Sequence, residues 1–132
     1  MTIEELEKDY WKAPTKFPTA LIEKVYLLRK KLLSELDAND LRILISQEEG
    51  LKYVVPKAID VLERNFLEQA LYYPGDLLLT VLRVDAAYWL DNDEETERLV
   101  SILEKSKPGI LSADNIDDNI KNDLEKAIDK FI

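Results

Sequence analysis

Residues Asp37 to Arg64 read DANDLRILISQEEGLKYVVPKAIDVLER, and this stretch decides the fold class. Leu41, Leu44 and Ile45 share one helical stripe, Asp37 or Asn39 stands where an N-terminal cap belongs, and Gly50 follows where a left-handed closing residue belongs. The spacing predicts a helix over Asn39–Glu49. Pro56 has no amide to donate and suits a first turn, so a second helix is expected over Val55–Arg64. Ala58, Ile59 and Leu62 would face inward, and Asn65 would close it. Two consecutive cap-then-stripe segments point to helices packed on helices. The short apolar runs Leu51–Val55 and Leu77–Leu82 are the places where a buried strand would carry the same signature.

The same reading extends in both directions. Thr2 followed by Glu5 has the form of a capping box that opens a short helix to about Trp11. Pro14 and Pro18 then make APTKFPT a linker. From Thr19, the positions Leu21, Ile22, Val25, Leu28 and Leu32 recur at helical spacing, and Arg29, Lys30 and Lys31 complement the carbonyl end of the dipole. Beyond Asn65, the segment Phe66–Tyr72 fits either a helical turn or a loop. Pro74, Gly75 and Asp76 form a turn in which Asp76 is expected to cap the apolar run Leu77–Leu82, the segment expected to be most buried. Asp85 opens a short turn containing Tyr88 and Trp89, Asp93 opens a helix that Pro108 and Gly109 should end, and a last helix covers Asp117–Lys130. The expected architecture is all-α, an irregular bundle of about six to eight short helices in one domain.

Composition bounds the function. A chain of 132 residues supplies one core, and its 46% hydrophobic and 34% charged content suits a folded, soluble domain. Absence of His and Cys removes disulfides, thiol chemistry, imidazole ligands and His-dependent triads. The formal charge of −9 argues against a phosphate-binding surface, and hence against nucleic acid as a partner. No apolar run approaches the ~20 residues of a membrane span, and the charged N-terminus MTIEELEKDYWK is unlike a secretory signal, so a cytosolic location is expected. Acidity is uneven: 14 acidic and 12 basic residues precede Asp85, against 13 and 6 from Asp85 onward.

Carboxylates are the one abundant catalytic residue type, but no pair is marked out for acid–base work, and solvated helix faces and caps account for them. The run Asp91–Glu95 fails as an EF-hand because Thr96 and Ile102 stand where Gly and Glu are required. The run Asp114–Asp118 has Ile116 at a ligand position and suits a helix start. Neither catalysis, nor a metal, nor a cofactor, nor a small-molecule substrate is indicated. The densest acidic cluster, Asp91, Asp93, Glu94, Glu95 and Glu97, adjoins Tyr88 and Trp89, one of which is expected near the surface as an aromatic anchor, and this is the composition of a binding surface for a basic protein. Rival surfaces are the acids Asp117, Asp118 and Asp123 or a face of the central helices.

The stretch LRKKLLSELDANDLRILISQEEGLKYVVPKAIDVLERNFLEQALYYPGDLLLTVLRV, Leu28 to Val84, together with TIEELEKDYW, Thr2 to Trp11, resembles the immunity proteins of bacterial contact-dependent growth inhibition systems. Its most specific pieces are LRILISQ leading to GLKYVVPKAIDVLE, and YYPGDLL followed by VLRV. The chain departs from the family pattern at Leu32, where Pro is usual, and at Ser46, where Gly is usual. The resemblance implies a non-catalytic cytosolic protein that binds the C-terminal toxin domain of a surface-exposed effector and blocks it. Such toxins are often nucleases, basic around the substrate groove, which an acidic inhibitor complements. On this reading residues 2–84 carry the shared scaffold, and the acidic segment 85–132 of the same domain carries the partner surface. The competing expectation is an acidic helical adaptor or regulatory protein for some other basic partner.

Overall fold

A computed structural model describes all 132 residues and contains eight α-helices, six of them of seven residues or more, with no strand. They are α1 (Ile3–Glu7), α2 (Ala20–Arg29), α3 (Ala38–Ser46), α4 (Leu51–Arg64), α5 (Asp76–Leu82), α6 (Ala86–Leu90), α7 (Asp93–Ser112) and α8 (Asp118–Phe131), with a 3-10 turn at Leu33–Glu35. Helix α3 packs on α4 and α5, α4 on α7, and α5 and α7 on α8. The all-α expectation is met, and both Leu51–Val55 and Leu77–Leu82 are helical.

Local signals placed most helix starts. Thr2 and Glu5 form the reciprocal capping box, Thr19 caps α2, Asp85 caps α6 and Asp117 caps α8. Asp37 caps α3 and closes its own box with Asp40. Helix α5 is the apolar centre: Leu77, Leu78, Leu79 and Val81 have almost no exposed surface.

Other boundaries moved, each for a physical reason. Helix α1 stops at Glu7 because Lys8 turns left-handed at φ 54°. Helix α2 buries only Val25, Leu28 and Arg29, all in its second half, so Leu21, Ile22 and Leu32 remain exposed rather than joining the core. Helix α4 begins at Leu51, because Gly50 at φ 63° accepts the amides of Tyr53 and Val54 and starts the helix there. It then runs through Pro56, held by burial of Val54, Val55, Ala58 and Ile59 on both sides of the ring. Helix α7 likewise passes Pro108 and Gly109, because Ser106 and Ile110 on either side are buried. Packing outweighs the lost hydrogen bond in both cases.

Asp76 is not the cap of α5. Gly75, at φ 90°, occupies that position with no side-chain bond, and Asp76 is the first helical residue, 3% exposed. Its carboxylate accepts the amides of Ala70 at 2.7 Å, Leu71 at 3.0 Å and Tyr72 at 2.9 Å. The side chain therefore organises the loop before the helix.

Candidate functional site

The cluster singled out from sequence lies where α6 turns into α7. The one Thr96 hydroxyl proton is shared between the carbonyls of Trp89 and Asn92, which lie 3.0 and 2.9 Å from Oγ1, and Asn92 Nδ2 donates to the carbonyl of Tyr88 at 2.7 Å, so the corner is tied on both sides. Asp93, Glu94 and Glu95 form the first turn of the twenty-residue α7, where its amide pole favours negative charge. Asp91, Asp93, Glu94 and Glu97 are exposed, and Glu95 is half-buried. No lysine or arginine is within ion-pair distance of any of the five.

The aromatic neighbours behave differently from an exposed anchor. Trp89 is 7% exposed and sits edge-on to Tyr88 at 5.0 Å and to Phe131 at 5.2 Å between ring centroids. Tyr88 is half-buried. Neither the Trp89 indole N–H nor the Tyr88 hydroxyl has a hydrogen-bond partner. Burial, reinforced by the nearby Glu95 charge, pushes the Tyr88 phenol up to about 12. The apolar group that the corner offers to solvent is Leu90, 79% exposed, which alternation of polar and apolar residues did not single out.

The helix divides the cluster between two depressions. Glu94 and Glu97 overlook a groove of about 540 Å³ between α4 and α7, whose apolar wall is Leu62, Phe66 and Ile102. Asp93 borders a second groove of about 950 Å³ beside α8, walled by Leu82, Val84, Trp89, Leu90 and Phe131. Asp123 borders this second groove too, Asp117 is committed to the α8 cap, and Asp118 is exposed in the first turn of α8.

The basic run Arg29, Lys30 and Lys31 does more than terminate a helix. Arg29, 1% exposed, donates to Glu7 at 2.6 Å, Glu49 at 2.8 Å and the Asp9 carbonyl at 2.8 Å, with Trp11 stacked 4.5 Å from its guanidinium. It clasps the N-terminal segment to the α3–α4 connection. Lys30 pairs with Glu4 and Lys31 with Asp40, and those bonds raise both lysine pKa values. Burial pushes the Glu49 carboxyl upward, more strongly than Arg29 draws it down. This positive cluster is thus consumed internally. No group of three or more His, Cys, Asp or Glu side chains converges as metal ligands, and no helix is long and apolar enough to cross a membrane.

The sequence profile of the CDI immunity proteins matches residues 5–99, nearly three-quarters of the chain, and so extends past Val84 to take in the whole α6–α7 corner. No curated protein and no solved structure matches. An all-helical chain in which the profile covers α2 to α6 whole, together with the acidic start of α7, belongs to the CDI immunity proteins, non-catalytic inhibitors that neutralise a cognate CDI toxin.

Proposed function

We propose that the toxin is a nuclease and that the protein neutralises it in the cytosol by laying the α6–α7 corner over its basic substrate groove. Asp91, Asp93, Glu94, Glu95 and Glu97 supply the complementary charge, with Leu90 as apolar contact and Tyr88 and Trp89 stiffening the corner from beneath. The observation that carries this reading is that these five carboxylates are free of internal ion pairs. Other exposed acids are either paired, as Glu7, Asp60, Glu63 and Asp129 are with Arg29, Arg98 or Lys107, or unpaired but less densely placed, as Glu23, Glu35 and Glu104 are, whereas the corner gathers five unpaired acids within residues 91–97. Uncommitted charge of one sign steers an oppositely charged partner and accelerates association.

The test begins with co-purification of the chain with the effector C-terminal domain encoded immediately upstream, and an assay of that domain on RNA and DNA. Replacing Asp93, Glu94 and Glu97 with Lys should slow association, raise Kd and flatten its dependence on salt while the helical spectrum is unchanged. Binding that ignores both salt and these substitutions would move the interface to an apolar surface, and a domain inert on nucleic acid would remove the nuclease assignment.

A further inference from the structure

The groove between α4 and α7 combines an apolar floor with an acidic rim. Leu62, Phe66 and Ile102 form the floor, and Glu63, Glu94 and Glu97 stand around it. Across its edge, Arg98 of α7 reaches α4, where its Nε donates to Glu63 at 2.9 Å and its terminal Nη2 donates to Asp60. One guanidinium thus engages two carboxylates, and Glu94 and Glu97 remain without a cation. Lys105 also lines the groove, so three carboxylates stand against two cations there, a local excess of one negative charge beside carbon surface. The larger groove by α8 is balanced in charge, its lining holding Asp85, Asp93 and Asp123 together with Arg83, Lys126 and Lys130.

A long side chain with an aliphatic stem and a cationic head satisfies both halves of this site. The stem covers the Phe66 and Ile102 surface while the head reaches carboxylates that keep contact with water. Arg98 already shows the cationic half of such an arrangement, its head bonded to Glu63 and Asp60. At about 540 Å³ the groove accommodates one such side chain together with the backbone that carries it. We infer that the α4–α7 groove is the specificity pocket of the interface and receives an arginine or lysine side chain from the docking face of the toxin. This assignment rests on the toxin-binding reading above and adds to it a place and a shape. It separates long-range steering, which any of the corner acids can provide, from a seat that only the groove provides.

Ser101 is exposed within the groove and carries no hydrogen bond from its side chain, so Ser101→Trp fills the seat without replacing a charged or a core residue. The measurement is Kd against the cognate toxin domain for this variant, for Glu97→Gln, and for Asn122→Trp on the exposed face of α8 as a bulk control. Thermal melts of each verify the fold. The expected result is a rise in Kd of at least about tenfold for Ser101→Trp, a smaller rise for Glu97→Gln, and none for Asn122→Trp. A double-mutant cycle between Glu97→Gln and each toxin lysine or arginine should then find one cation coupled to Glu97. An unchanged Kd for Ser101→Trp, with association still slowed by Asp91→Lys and Asp93→Lys, overturns the pocket and leaves the acidic docking surface standing. Wild-type binding that is absent or indifferent to salt overturns the reading on which the pocket rests.

Discussion

Replacing Asp76 with Ala removes a buried carboxylate that holds three consecutive backbone amides, those of Ala70, Leu71 and Tyr72, at 2.7 to 3.0 Å. Hydrogen bonds to a charged group contribute about 1.5–3 kcal/mol each, so the gross loss is roughly 4.5–9 kcal/mol. The loop can recover part of that, because Gln69, Leu71 and Tyr72 are exposed and their backbone can open to water. A net loss of about 3–4 kcal/mol is expected, against the ~1 kcal/mol that a simple helix cap would cost. For a chain of this size that corresponds to a fall in Tm of roughly 10 °C or more. Urea unfolding gives the free energy, and hydrogen exchange gives the location: the amides of residues 70–72 should lose protection first. Asp76→Asn retains a single acceptor oxygen and should fall between wild type and Asp76→Ala. A loss near 1 kcal/mol with those amides still protected would refute the loop-organising role and restore the cap.

Tyr88→Phe removes a buried hydroxyl with no partner and should leave stability unchanged or raise it by up to about 1 kcal/mol, read from thermal melts. In the wild type, spectrophotometric titration should find one tyrosine ionising near 12. Arg29→Met strands Glu7 and Glu49 and should cost roughly 2–3 kcal/mol, below the full penalty for a buried pair because those carboxylates keep 32% and 26% exposure. Urea unfolding measures it, and proteolysis should then release the N-terminal segment first. Because the Glu49 pKa is raised in the folded protein, the native state holds its proton more tightly than the unfolded chain does. Stability of wild type relative to Glu49→Gln should therefore be greatest below the ordinary value of 4.5 and decline as pH rises from there through the raised value, then level off. A wild-type advantage that grows over that window would show that the Arg29 pair outweighs burial.

The helical class was legible in the sequence because its signals are local. Thr2 with Glu5, Thr19, Asp37, Asp85 and Asp117 each act on an amide two or three residues away, and the apolar stripes of α3 and α4 repeat within one or two turns. The composition of the acidic corner was equally plain. What tertiary structure decided are the features whose partners are distant in the chain. Arg29 meets Glu7 and Glu49 across twenty or more residues, and Asp76 turns back to a loop instead of forward to its own helix. Pro56 and Pro108 stay inside helices because buried neighbours on both sides hold them there. The exchange of Trp89 for Leu90 as the exposed apolar group, and the division of one run of acids between two grooves, depend on where α4, α8 and Phe131 lie around the corner. A one-dimensional pattern shows which residues share a helical face, whereas the neighbours that cover or expose that face are chosen by packing.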